Sequence, residues 1–286
     1  TAFHGLTISW EPGARGLDAG RRFMAELPGL RPHLIADHRV QLRWETFAHD
    51  AIDDISRWLG QTPTPAMAFN DHTTATLAML SDVDHRKLNK WAQRAGISPD
   101  DYIARARAVG RRAPVVPARI AEVAAIGRRH GAVLLAHDER RVSERVGNRA
   151  LGMSVCEFPL AEDVAADAVA QGEQSVMGGP NLIRGGSHIG AMSAEDAIRD
   201  GLCTVLASDY YYPSLLHGAE RLVAGGVLAL EEAWALISRN PAAALRMADR
   251  GSVALGQRAD LVVLDCSGPW RIVHVVAGGT LVSFGR

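Results

Sequence analysis

The sequence predicts an α/β fold, a parallel sheet wound as a (β/α)8 barrel, and three observations carry that prediction. Short apolar runs alternate with helix-period segments over most of the 286 residues, the pattern of successive βα units. Two runs, AVLLA at 132–136 and CTVLA at 203–207, are almost wholly apolar, as strands covered on both faces must be. Polar residues of metal-ligand type stand directly after several runs, where a barrel's βα loops line its open mouth.

Taken in order, strands are expected at 2–8, 39–45, 65–70, 132–136, 153–157, 174–178 and 203–207. A further strand is considered at 33–37, and 174–178 also reads as an extended loop. A closed barrel needs eight strands. One is therefore expected to precede Thr1, which is not methionine and opens straight into an apolar stretch. A helix over 117–129 begins with Pro117 and places Val116, Ile120, Val123 and Ala124 on one face. Another over 193–200 starts with Ser193 three residues before Asp196 and stops at Gly201. Residues 84–130 are too long for an ordinary βα loop and should carry helices of their own, their many arginines forming a solvated face. The tail switches to consecutive strand patterns, DLVVLD and RIVHVVAGGTLVSF. The expected organisation is a barrel over 1–250 with a helical insertion at 84–130, and a small β-sandwich piece over 251–286.

Bulk composition narrows the partners. The chain is 47% hydrophobic with a formal net charge of −1, enough for one large core, since barrels of this kind run to about 250 residues. The near-neutral balance argues against a nucleic-acid surface. No apolar run approaches the roughly 20 residues that span a bilayer, and no signal-peptide pattern opens the chain. Cys156, Cys203 and Cys266 lie far apart with no C-x-x-C pair, the usage of a reduced, cytoplasmic protein.

Glu45 follows VQLRW, Asp71 and His72 follow MAFN, His137 and Asp138 follow AVLLA, and Asp209 follows TVLAS. Imidazole nitrogen and carboxylate oxygen from four strand ends suit a divalent metal such as zinc. A lone histidine at a strand end is more often a hydrogen-bonded structural residue, so the joint pattern carries the reading. His4 is a fifth member of the set, with a structural role as an equal alternative. A second site is expected at 178–188, GGPNLIRGGSH. Its glycines, Gly185 and Gly186 among them, allow an anion-binding nest of backbone amides. Arg184 adds a guanidinium fork, and Asn181, Ser187 and His188 add further donors.

The tail NPAAALRMADRGSVALGQRADLVVLD (240–265) resembles the closing signature of the amidohydrolase superfamily. FNDHT, LAHDE, GGPNLIRGGSH and ASDYYYPSLL, in that order, resemble its PhnM-type branch, the ribose 1-methylphosphonate 5-triphosphate diphosphatases of phosphonate metabolism. The resemblance implies a metal-dependent hydrolase barrel holding one or two divalent ions, zinc first and manganese second. It implies that Glu45 bridges metals, that His72 and His137 are ligands, and that Asp209 is both a ligand and the general base toward the attacking water. The implied partner is a small phosphorylated substrate, with a homodimer as the assembly considered. The superfamily's His-x-His pair occurs nowhere in this sequence, and it is expected upstream of Thr1; loss of a metal or of activity is the alternative. Gln41 and Trp44 beside Glu45 also depart from the family pattern. Two other functions therefore stand beside the diphosphatase: cleavage of a C–N bond in a cyclic amide or acylated amine, and a non-catalytic scaffold.

Overall fold

A computed structural model describes residues 1–80, 84–186 and 192–283. The fold is α/β, of the TIM-like barrel type, with seven strands following chain order among the described residues. The chain divides into two compact units, 1–137 with 150–153, and 138–149 with 154–286.

In the first unit β1 (Ala2–Ile8), β2 (His38–Glu45), β3 (Ala66–Asn70) and β4 (Leu134–His137) pair in parallel, each with the next. Period-two alternation on β2 explains its burial. Val40, Leu42 and Trp44 enter the core with Ile8, Met67 and Leu134, while Gln41, Arg43 and Glu45 take the opposite face. Burying side chains such as Leu42 and Trp44 contributes about 1.5–3 kcal/mol each. Helices α1 (Leu17–Leu30), α2 (Ile52–Leu59) and α3 (His72–Met79) follow β1, β2 and β3. The 84–130 segment is helical as expected, forming α4 (His85–Ala95), α5 (Pro99–Gly110) and α6 (Val116–Arg129). No strand forms at 33–37, where the chain takes a 3₁₀ turn over Arg31–His33.

His4 is not a strand-end residue. It lies mid-strand opposite Val40, stacks on His38 with Nε2 2.8 Å from His38 Nδ1, and packs its ring against Phe23. Burial first, and His38 second, hold its imidazole below the ordinary histidine range. The unfolded chain then takes the proton more readily than the folded one. His4 thus contributes stability above the unfolded value near 6.5, and this is lost as pH falls through that value toward the folded one. The melting temperature should drop on going from pH 7 to pH 5, and drop less in His4→Gln; equal acid sensitivity of the two proteins would remove His4 from the account.

In the second unit β5 (Met153–Glu157), β6 (Gln174–Gly178) and β7 (Val205–Ala207) are again parallel neighbours, so 174–178 is a strand. The helices are α7 (Val142–Ala150), α8 (Glu162–Ala170), α9 (Gly179–Arg184), α10 (Ala194–Arg199), α11 (Ser214–Ala224), α12 (Leu230–Ala235) and α13 (Arg239–Ala244). The Ser193 hydroxyl caps α10 by accepting from Asp196 N, as its spacing predicts. The tail forms a separate antiparallel sheet of β8 (Leu261–Asp265), β9 (Arg271–Ala277) and β10 (Thr280–Ser283), with β9 in the middle.

Candidate metal centre

Glu45 ends β2 beside Asn70, which ends β3. Its carboxylate is buried, 4% exposed, yet surrounded by donors. Oε1 accepts from the backbone N–H of His72 at 2.9 Å and faces His72 Nδ1 at 2.9 Å, while Oε2 accepts from the Thr73 hydroxyl at 2.6 Å. His72 is the first residue of α3, so one orphan amide of that helix is satisfied by a negative charge. Asp71 is spent on the helix cap, its two oxygens taking Thr74 N and Thr74 Oγ1 at 2.9 and 2.7 Å. Trp10, in the loop after β1, donates to Thr73 Oγ1 at 2.8 Å and so ties that loop to the Glu45 pocket.

The His137 ring, at the end of β4, lies 5.5 Å from the His72 ring, edge to face. Asp138 is the next residue, turned by a left-handed backbone with φ 60. Donor atoms of His72, His137 and Asp138 all lie within 4.8 Å of one another. A shared tetrahedral ion with bonds of about 2.1 Å would hold its ligand atoms about 3.4 Å apart, so modest contraction completes a site. Two imidazoles and a carboxylate are a donor set suited to zinc and its neighbours. Glu45, for which the family resemblance implied a bridging role, lies outside this group of three and sets Oε1 against His72 Nδ1. With Nδ1–H of His72 directed at Glu45, Nε2 carries the ring's lone pair and would be the metal-binding nitrogen, the carboxylate–histidine arrangement that fixes a ligand's tautomer and raises its basicity.

Two features escaped the sequence reading. Arg43, on the same strand face as Glu45, donates from Nη2 to His137 Nε2 at 2.7 Å. Its stem passes Gly5, where an added Cβ would lie 3.2 Å from Arg43 Cδ. Backbone strain is the second signal. Of the non-glycine residues with positive φ, Asp138, Phe158 and Asp209 lie one or two positions beyond β4, β5 and β7. Such conformations cost about 1–3 kcal/mol and concentrate at functional sites.

In the second unit, Asp209 follows β7 with φ 49, and three exposed tyrosines, Tyr210, Tyr211 and Tyr212, follow it. Its loop is closed by Ser214, whose hydroxyl donates to Tyr211 O at 2.6 Å. Gly179 abuts that hydroxyl: an added Cβ would stand 2.5 Å from Ser214 Oγ, so glycine permits α9 to pack on the Asp209 loop. The expected glycine-rich loop at 178–188 is instead helical over Gly179–Arg184, with Gly185 as its left-handed C-cap at φ 78. Asn181 spends its side chain inside the fold, donating to Met192 O and accepting from Ala194 N, both at 3.0 Å. It thereby ties α9 to the start of α10, using one of its two amide N–H groups and its carbonyl oxygen. Gly186 N returns to Asn181 O at 3.1 Å, closing the helix end rather than forming an open nest. Arg184 Nε donates to Pro180 O at 3.2 Å within its own helix. Ser187 and His188, the remaining expected phosphate contacts, lie outside the described residues.

Comparison with known proteins places these observations. A family model described as Amidohydro_1, the amidohydrolase family, matches residues 70–282. The alpha-D-ribose 1-methylphosphonate 5-triphosphate diphosphatase of Escherichia coli (strain K12) is 30% identical over 232 residues, 80% of this chain; the chain spans 61% of that relative's length. Among solved structures, dihydropyrimidinase from Brevibacillus agri NCHU1002 superposes with a TM-score of 0.51 at 10% identity, covering 98% of this chain and 76% of that one. A 5-methylcytosine deaminase from Klebsiella pneumoniae gives 0.47 at 15% identity, covering 94% and 75%. At these identities the structural likeness concerns the fold alone. No helix among the described residues is long and apolar enough to cross a membrane.

Proposed function

The chain belongs to the amidohydrolase family of metal-dependent hydrolases, and from that premise we propose that it hydrolyses a phosphoric anhydride, converting a ribosyl methylphosphonate 5-triphosphate to the 5-phosphate and pyrophosphate. The observation that carries the reading is the 30% identity to a diphosphatase of that substrate. The His72, His137 and Asp138 donors, with Glu45 behind His72, would hold the divalent ion, zinc or manganese. Such an ion, when bound, polarises a phosphoryl oxygen and lowers the pKa of water toward neutrality.

The chain's own residues divide the remaining work. Glu45 fixes the tautomer of His72 and so keeps its Nε2 in the acceptor state. Asp209, in the role that the family resemblance implies, takes the proton from the attacking water. Its left-handed backbone at the end of β7 accords with that role. Arg184, on the helix packed against the Asp209 loop, supplies a permanent positive charge for the departing pyrophosphate.

The test is pyrophosphate release from ribosyl and nucleoside triphosphates, measured beside hydrolysis of hydantoins and acyl amino acids with zinc or manganese present. Triphosphate turnover should dominate, and Asp209→Asn should lower kcat by about 10²–10⁴-fold, the usual worth of a general base. Arg184→Ala should cost about 2–4 kcal/mol in transition-state terms with metal content unchanged. Preference for hydantoins or acyl amines would assign the C–N reaction instead. A protein that binds metal but turns over neither class is the scaffold.

A further inference from the structure

We propose that Arg15 and Arg43 form an anion subsite beside the metal centre, built for a phosphoryl group of the substrate. The inference rests on the diphosphatase reading for the identity of that group, and on the first unit alone for its geometry.

The loop after β1 carries Arg15 and is fixed at several points. Trp10 holds it to Thr73, and Thr73 to Glu45. Glu11, 7% exposed, takes two bonds from Arg94 Nη2 at 2.7 and 2.9 Å and one from the Tyr102 hydroxyl at 2.7 Å. Ser9 N donates to Arg15 O at 2.8 Å, which closes the loop on itself. Arg15 is thus placed by a braced backbone rather than a trailing one.

Among the described residues neither Arg15 nor Arg43 has a carboxylate partner within ion-pair distance, although Arg21, Arg39, Arg57, Arg94, Arg112 and Arg119 of the same unit all do. Both carboxylates nearby are already engaged: Glu11 with Arg94 and Tyr102, Glu45 with His72 and Thr73. Arg43 has five N–H donors, one of which meets the ring of His137, and its Nε is buried with no hydrogen-bond partner. Arg15 is half-buried and held below the ordinary arginine range, first by burial and next by Arg94, with Arg43 acting in the same direction and Glu11 and Glu45 opposing. Register sets Arg43 opposite Thr7, two residues before Ser9, whose amide holds Arg15 O, so both arginines belong to the same end of β1 and β2, where the two neighbouring carboxylates are already engaged.

Burying guanidinium charge without a counterion is unfavourable unless an incoming group supplies the missing charge. A divalent ion at His137 would add positive charge and compete with Arg43 for the imidazole. An anion spanning Arg43 and Arg15 relieves both repulsions. Phosphoryl oxygens suit the role, because planar guanidinium forks bind them in pairs.

The test is isothermal titration of inorganic pyrophosphate into the metal-free chain at low ionic strength, with acetate as the comparison anion. Wild-type protein should bind pyrophosphate, and Arg15→Gln and Arg43→Gln should each weaken that binding at least ten-fold. Arg15→Lys should recover part of the loss, since charge returns without the fork. Should Arg43→Gln fail to fold, Arg15→Gln on the surface loop decides alone. Pyrophosphate binding that both variants retain, or acetate binding of equal strength, overturns the subsite. Failure of the diphosphatase reading is separately visible: pyrophosphate binding lost in the variants, with no triphosphate turnover by wild type, leaves the anion subsite standing and removes the reaction.

Discussion

Replacing His72 by alanine is expected to abolish stoichiometric metal binding and, with it, turnover, whereas Glu45→Gln should lower metal affinity by about 10–100-fold. The difference follows from where the two side chains stand. His72 is one of three residues whose donor atoms cluster within 4.8 Å, and its loss leaves two donors for an ion that needs three or four. Glu45 meets His72 Nδ1 and His72 N at 2.9 Å, so it would act on a bound metal through the imidazole. Glutamine keeps an acceptor oxygen for that contact but loses the charge. Metal content by atomic absorption, with zinc competition by a chelator, distinguishes the cases. If Glu45→Gln is as empty of metal as His72→Ala, Glu45 is itself a ligand, and the bridging role implied by the family resemblance returns.

The second large effect concerns stability. Arg145 on α7 is fully buried, with Nη1 2.9 Å from Glu139 Oε2 and Nε 3.1 Å from Glu173 Oε2. Asn148 donates to the other oxygen of Glu139 at 2.8 Å, and Arg149 binds Glu173 at 2.8 and 3.0 Å. Burial, and then the Glu139 charge, push the neighbouring Cys156 thiol up. Arg145→Ala would leave the buried Glu139 carboxylate without its cation, while Glu173 keeps Arg149, a loss of about 3–5 kcal/mol. The melting temperature should fall by roughly 6–20 °C for a domain of this size. Arg145→Lys should fall less than alanine but still fall, because an ammonium cannot reproduce the fork. A loss below about 1 kcal/mol for alanine would mean the cluster relaxes or hydrates, against the burial seen. Glu139 follows Asp138 directly, so this cluster also steadies the turn on which the metal centre depends.

The sequence by itself determined where the strands lie and which residues follow them. All seven expected strands form, within a residue or two, because apolar burial and period-two alternation are local properties written in AVLLA or VQLRW. The helical insertion and the Ser193 cap were equally legible, since cap chemistry spans three residues. Ligand-type residues at strand ends could also be found, for the same local reason. Only the tertiary structure decided what each polar side chain does. Glu45 stands behind His72 because parallel pairing sets β2 beside β3, and the helix after β3 then aims its first amide at the carboxylate. Asn181 is tied to backbone eleven and thirteen residues away, and the glycines near it end a helix. Arg43 looks like any strand arginine until β4 brings His137 to within 2.7 Å of its guanidinium. A hydrogen bond needs its partner placed to a few tenths of an ångström and in the right direction, and that placement comes from register and packing between segments far apart in the chain.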